Sequence, residues 1–382
     1  MRPGRADPAG DRARRGRQHT RAPGRDPGLH LPGPRRRHQR LHPDHLTPMR
    51  LRKSKLSEPG IRRQRSGRGF RYFTPEGEPL RDEETLQRIK SLAVPPAWRD
   101  VWICPHPNGH IQAVGTDDAG RRQYRYHDRW RQARDEEKHE RVVELAKRLP
   151  KWRLRIAEDL ARPGLGCERV LAAALRMIDR GVFRVGSEEY AENNGTYGAA
   201  TLLREHVTVK RDELNFCYPA KGGIERDITL TDPDLAAVVK ALRRSRTGSD
   251  RLFVYRTPNG WHEVHADEIN EHFKEMVGDE FTVKDLRTWN ATVLAATAFA
   301  VADEVKSQRG LKRTQAAVMR QVSEELGNTP AVCRKSYVDP RIVEAHANGK
   351  TIASAVRRIG GVRGDEDREV LERAVIRLLG GV

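Results

Sequence analysis

Four segments in the C-terminal part of the chain each offer a group that could grip phosphate or act as a nucleophile. Arg184 sits in Val182-Phe-Arg-Val-Gly186, at a helix end beside a glycine. Lys221 falls in Ala220-Lys-Gly-Gly223, a tight glycine-rich turn that exposes it. Lys284 and Arg287 are three residues apart, the spacing that puts two side chains on one helix face. Asn328 lies in Gly327-Asn-Thr-Pro330, ahead of Arg334-Lys-Ser-Tyr337, which ends on a phenol. Taken singly, such cations are ordinary, because lysine and arginine near helix ends complement the helix dipole or solvate the surface.

The elements that must position these groups fall into two sets. Residues 69–80 read as strand, Pro/Gly turn and strand, residues 82–92 as a short helix, and residues 101–115 as a hairpin turning at Asn108-Gly109. Residues 121–126 then make a further strand. Its Tyr124 and Tyr126 are two apart and share a face, with Arg121, Arg122 and Arg125 interleaved and Gln123 between them. Residues 135–148 carry helical apolar spacing at Val142, Leu145 and Leu149. Beyond them the pattern is mostly helical: 168–180, 193–203, 232–246, 266–277, 283–305, 314–326 and 365–379. Short strands at 206–209, 213–218 and 225–230 interrupt it. The expected class is α+β, a small β-rich N-terminal domain plus a mostly α-helical catalytic domain containing a short antiparallel sheet. The expected division is a disordered basic extension at 1–68, the β-rich DNA-binding domain at 69–133, a linking helix at 134–150, the catalytic domain at 151–340 and a C-terminal helical extension at 341–382.

Charge says what these elements meet. The formal net charge is +19, of which +15 lies in residues 1–68, leaving +4 on the remaining 314. A basic arm on a mildly basic body favours a polyanion, nucleic acid above all. Residues 1–50 hold eight prolines and thirteen arginines but no Val, Ile, Phe, Tyr or Trp, so they cannot offset the entropy of ordering. Four scattered cysteines form no disulfide or zinc framework. The N-terminus lacks an apolar signal core, and no apolar run approaches the ~20 residues of a membrane span. The expectation is a cytoplasmic, nucleoid-associated protein. Gly349-Lys350-Thr351 is no phosphate loop, because Glu344 stands where a glycine is needed. His262 and His265 flank Glu-Val beside a Pro258-Asn-Gly260 turn, and read as a surface pair, so neither a metal nor another cofactor is expected.

In their order, the four segments resemble the catalytic set of the poxviral and bacterial type IB DNA topoisomerases. The resemblance runs from about residue 70 to Tyr337. It is carried by Val114-Gly-Thr-Asp-Asp-Ala-Gly-Arg-Arg-Gln-Tyr-Arg-Tyr126, by Arg184-Val-Gly through Tyr190, by Asn194-Gly-Thr-Tyr-Gly198, by Lys284-Asp-Leu-Arg-Thr288, and by Gly327-Asn-Thr-Pro330 ahead of Lys335-Ser-Tyr337. It implies that Arg184, Lys221 and Arg287 are a catalytic basic triad and Tyr337 the nucleophile. It implies double-stranded DNA as substrate, met in the major groove by Gln123, Tyr124 and Tyr126, with Arg121, Arg122 and Lys284 also on DNA. The monomer would close around the duplex as a clamp. Asn328 stands where the poxviral enzymes have histidine, and bacterial members look like this chain.

These residue types suit that chemistry. A phenol of pKa about 10 needs electrostatic help to attack a phosphodiester near neutrality. Two guanidiniums can hold both non-bridging oxygens and stabilise a five-coordinate transition state. A lysine can protonate the leaving 5′-oxygen, and Asn328 can donate one neutral hydrogen bond. A 3′-phosphotyrosyl bond would retain the energy of the broken linkage, so resealing needs no ATP. A tyrosine recombinase is the alternative with a similar set, but it calls for His-x-x-Arg where Lys284 stands, and for a helical N-terminal domain. A non-enzymatic DNA-binding protein is the other alternative, which a covalent protein–DNA adduct would exclude.

Overall fold

A computed structural model describes residues 50–303, 307–361 and 364–380; the basic arm before them and the Tyr190 side chain lie outside this set. The N-terminal part is a five-stranded antiparallel sheet in the order β2-β1-β3-β4-β5, with β1 at Ile61–Ser66, β2 at Gly69–Phe73, β3 at Arg99–Ile103, β4 at Ile111–Thr116 and β5 at Arg122–Tyr126. Helix α1, Glu83–Ser91, is capped by Asp82 and closes a small core of Ile61, Ile89, Val101, Ile103 and Ala113.

Strand β1 corrects the expected boundary, since order begins before residue 69. In Ile61-Arg-Arg-Gln-Arg-Ser, arginines on both faces hide the alternation that marks a strand. Ile61 is buried all the same, and the Arg63 guanidinium donates to the carbonyls of Val94, Pro95 and Trp98 while stacking 4.1 Å from the Phe70 ring. Its charge is used inside the domain, not offered to a partner.

Helix α2 runs Asp128–Leu160, 33 residues, well past the expected linker. Pro150 suggests a stop because it lacks an N–H to bond the preceding turn. The apolar stripe nevertheless continues through Trp152, Ile156 and Leu160, all buried, and that packing outweighs one lost hydrogen bond. Against it packs α3, Cys167–Gly181, whose residues from Val170 to Asp179 are all buried. After α4, Glu188–Asn194, the chain does not continue as the helix expected over 193–203. Gly195 turns it at φ +58°, a left-handed conformation that suits glycine.

A second antiparallel sheet, β6-β7-β8, comprises Val207–Lys210, Glu213–Ala220 and Ile224–Thr231. Asp232 caps α5, Pro233–Arg244, and a hairpin of β9, Val254–Thr257, and β10, Gly260–Glu263, precedes α6, Ala266–Val277. Helix α7, Val283–Val301, is buried on nearly all sides. The remainder is α8, Gln308–Leu326; α9, Pro330–Ser336; α10, Pro340–Ala347; α11, Ala353–Ile359; and α12, Asp365–Gly380.

Helix α12 is no appended extension. Leu371, Ala374, Val375 and Leu379 belong to the main core. Its charges close a buried network: Arg153 on α2 pairs with Asp179 at 2.8 Å and with Glu372 at 2.7 Å, and Arg368 reaches Asp179 at 2.7 Å and the Asn290 side chain at 2.7 Å. Burial opposes ionisation of Asp179, but Arg153 and then Arg368 hold its carboxyl well below the ordinary range. The expected catalytic domain ending at residue 340 therefore extends through α12.

Candidate active site

Helix α3 ends in a strained turn. Val182 adopts φ +53°, an uncommon conformation for a β-branched residue, and swings the chain so that Arg184 follows one residue beyond the buried Phe183. The loop is then held from behind, because the amides of Ala199 and Ala200 donate to the carbonyls of Arg184 and Val185 at 2.8 and 2.7 Å. Gly186, at φ +88°, lies against Gly198, where an added Cβ would meet Gly186 Cα at 2.6 Å and the Arg184 carbonyl at 2.8 Å. Gly198→Ala is therefore expected to push the Arg184 loop outward. It should cost about 1–3 kcal/mol of stability, the usual scale of overpacking, and slow strand cleavage well beyond that loss. Thermal unfolding and single-turnover cleavage measured on one preparation check this.

Arg287, in the second turn of α7, is 5% exposed. Its terminal nitrogens donate to the carbonyls of Val182 and Leu326, and its guanidinium carbon lies 5.5 Å from the centre of the Tyr337 ring. Arg184 donates to the Gly327 carbonyl at 3.1 Å and to the Asn328 side-chain oxygen. Burial first, then the proximity of Arg184, lowers the pKa of Arg287 from its ordinary value, and burial lowers that of Arg184. Among the described residues no carboxylate pairs with either, in contrast to Arg153 and Arg176, which meet aspartates. Two neighbouring guanidiniums without a carboxylate partner among the described residues are chemically suited to an anion. Two donors there also lack an acceptor, the Arg287 Nε and the Asn328 Nδ2, both buried.

Tyr337 closes α9 as its C-cap and is partly buried against the core. Thr329, not Asn328, caps the start of α9 by accepting from the Val332 amide, which leaves the Asn328 amide group for other work. The backbone on either side of the tyrosine is fixed from two elements. Thr292 on α7 donates to the Tyr337 carbonyl at 3.3 Å and accepts from the Asp339 amide, and Lys138 on α2 donates to the Ser336 carbonyl at 3.2 Å.

Arg184, Arg287, Asn328 and Tyr337 are thus brought together. Lys221 is exposed at the turn joining β7 and β8, with Gly222 and Gly223 in left-handed conformations beside it. Lys284 is exposed one turn before Arg287, which itself points inward. On β5 the alternation splits the expected DNA contacts. Arg122, Tyr124 and Tyr126 face solvent together, the two tyrosine rings stacked 5.9 Å apart. Gln123 points the other way and donates to Asp117, which also holds Arg121. A shared face for Gln123 and the tyrosines is ruled out by the two-residue strand period.

Sequence reasoning missed Arg226 on β8. Its guanidinium donates to the carbonyls of Glu324 and Glu325 at 2.6 Å each, at the last turn of α8, and Gly327 packs on its Cδ. Arg226 thereby ties the hairpin carrying Lys221 to the segment carrying Asn328. Nothing local to Glu225-Arg-Asp227 signals this, because its partners lie about a hundred residues away. Arg226→Ala removes two charge-assisted bonds, each about 1.5–3 kcal/mol when fully expressed and less at this half-exposed site. Cleavage should slow about tenfold with duplex affinity nearly intact, as measured by single-turnover kinetics and a binding titration.

Comparison with known proteins speaks to the family of the whole chain. Residues 127–359 match the family described as eukaryotic DNA topoisomerase I, catalytic core, and residues 69–117 match the bacterial DNA topoisomerase IB N-terminal domain. The chain is 31% identical over 297 residues to DNA topoisomerase 1B of Acanthamoeba polyphaga mimivirus, covering 76% of this chain and 88% of the viral one. It is 24% identical over 237 residues to DNA topoisomerase 1B of Vaccinia virus (strain Copenhagen), covering 60% and 71% respectively. With DNA topoisomerase 1 of Daucus carota it shares 28% identity over 128 residues, 33% of this chain and 15% of the plant protein. No helix among the described residues is long and apolar enough to cross a membrane. A β-sheet domain that matches the bacterial N-terminal family, a mostly helical core that matches the catalytic-core family, and a relative similar across most of both chains identify the protein's kind: it belongs to the type IB DNA topoisomerases.

Proposed function

We propose that the enzyme relaxes supercoiled duplex DNA by nicking one strand through Tyr337, letting the duplex rotate, and resealing the same ends without ATP or metal. The observation that supports this most is that two guanidiniums, Arg184 and Arg287, lie near Tyr337 and near one another, and among the described residues neither pairs with a carboxylate. A phosphodiester supplies the missing negative charge. Its non-bridging oxygens would accept from Arg184, Arg287 and the unpartnered Asn328 Nδ2, and the charge gained in the five-coordinate state would strengthen those bonds.

In the forward step the Tyr337 oxygen bonds to phosphorus and gives up its proton to solvent. The bond from phosphorus to the 5′-oxygen breaks, and Lys221 protonates the leaving oxygen. The 3′-phosphotyrosyl link keeps the energy of the original bond, so the reverse step needs only the returning 5′-hydroxyl. Tyr124, Tyr126, Arg122 and Lys284 would hold the duplex, with Gln123 and Arg121 shaping the Asp117 turn beside it. The monomer acts as a clamp.

Supercoiled plasmid incubated in EDTA without ATP should be relaxed; an absolute requirement for a divalent ion or ATP would overturn this reading. The role of Lys221 has its own test. Lys221→Ala should slow cleavage of an ordinary substrate and be rescued when the bridging 5′-oxygen is replaced by sulfur, since a thiol of pKa about 8.5 leaves unprotonated. Equal defects on both substrates would leave Lys221 a purely electrostatic part.

A further inference from the structure

Away from Arg184, Arg287 and Tyr337, β10 and the start of α6 bring together a histidine pair and a carboxylate. His262 and His265 looked like a surface pair in the sequence because a turn precedes them. The fold adds Glu268, three residues into α6, and one ligand atom from each of the three lies within 4.8 Å of the others. His262 Nε2 is 3.2 Å from Glu268 Oε2, and the two imidazole ring centres are 5.6 Å apart. Partners around the cluster orient it. The Tyr255 hydroxyl donates to Glu268 Oε1 at 2.8 Å, the His265 amide donates to Oε2 at 2.8 Å, and His265 Nδ1 lies 3.0 Å from Glu188 Oε1.

We propose that His262, His265 and Glu268 form a binding site for a borderline transition-metal dication, Zn²⁺ in particular. Two imidazoles and one carboxylate suit zinc and disfavour magnesium, which takes oxygen ligands. Ligands at about 2.0–2.1 Å in a tetrahedron stand about 3.3 Å apart, so the set must contract by about 1.5 Å. Side-chain rotation supplies this, because both histidines are about four-tenths exposed. Glu188 on His265 makes the carboxylate–histidine pairing that fixes a ring and raises its basicity as a ligand. Three protein ligands leave the fourth position to water.

Glu188 opens α4, four residues after Arg184, so this site joins the segment that follows the Arg184 loop to α6. Bound zinc would staple the two together. The site stands apart from the chemistry of strand cleavage and does not rest on that reading, since EDTA-treated enzyme is expected to relax plasmid whether or not zinc binds.

The test is a Zn²⁺ titration of the full chain against a chromophoric chelator, beside the His262→Gln/His265→Gln variant, with Co²⁺ as a spectroscopic probe of coordination. The parent should bind one equivalent more than the variant at micromolar metal, show a cobalt spectrum the variant lacks, and gain thermal stability with zinc that the variant does not. Comparing the two removes any contribution from the cysteines and from the five histidines among residues 1–49. Glu188→Gln should keep the stoichiometry and weaken affinity about tenfold, as expected for the partner of a ligand. Equal stoichiometry and affinity in parent and double variant would overturn the site. Should the double variant unfold, His262→Gln alone, at a half-exposed strand position, decides it by the same readings.

Discussion

Tyr337→Phe should abolish covalent attachment to DNA while leaving a folded, DNA-binding protein. The substitution removes one oxygen and keeps the ring that packs on the core and lies 5.5 Å from the Arg287 guanidinium. The backbone on either side stays tied to Thr292 and Lys138, whose bonds do not involve the phenol. Loss of a covalent nucleophile costs on the order of 10⁶-fold in rate, larger than the loss of any one phosphate donor. The measurement is trapping of a protein–DNA adduct on a duplex whose short downstream fragment, bearing the new 5′-hydroxyl, diffuses away, with a thermal melt as the folding control. A phenylalanine variant that still forms the adduct would remove Tyr337 from the mechanism.

Asn328→Asp should give the next largest defect, and its cause differs. The parent side chain uses its oxygen on Arg184, and its buried Nδ2 has no acceptor. Asparagine never titrates, so this donor is present at every pH. Aspartate keeps the oxygen, turns the donor into a second acceptor and adds a charge. It would neutralise Arg184 within the protein and repel phosphate where the parent donates. Alanine at this position should lose about 2.7–4 kcal/mol of transition-state stabilisation, the scale of one oxyanion donor, and aspartate should lose more. Stability should hardly fall, because Thr329 caps α9 and the new anion gains Arg184 as partner. Single-turnover cleavage with a parallel melt separates the two effects. Asn328→His should retain most activity and acquire a pH dependence near the ordinary histidine range of about 6.5. An Asn328→Asp enzyme that cleaves at the parent rate would take this residue out of the site.

Much of this was legible in the sequence because the signals were local. The glycines at 222–223 marked the Lys221 turn, the spacing over Ala266–Val277 marked α6, and the site motifs each lie within a dozen residues. What the sequence hid depends on distant partners. Strand β1 is held by Arg63 against carbonyls some thirty residues away, and Arg226 by carbonyls a hundred residues away. The helix expected over 193–203 failed because Gly198 is there for its closeness to Gly186, a need that periodicity does not express. His262 and His265 are a different case, since their third partner Glu268 lies only six and three residues on, across the change from β10 to α6.

The buried charges around α12 also bear on how the chain comes to be made. Arg153 and Glu372 are 219 residues apart, and Asp179 needs Arg368 from the same late segment. During synthesis, α2 and α3 emerge with Arg153 and Asp179 able to pair with each other, while Glu372 and Arg368, which complete the network, do not yet exist. At about 5–20 residues per second, the two helices wait roughly ten to forty seconds for α12. Helix α7, which carries Arg287, also receives Arg368 through Asn290. The helix that carries the candidate site therefore gains this last tie only when α12 is present. A chain lacking α12 would lose Glu372 and Arg368 from this buried network, and a broken buried pair costs about 3–5 kcal/mol.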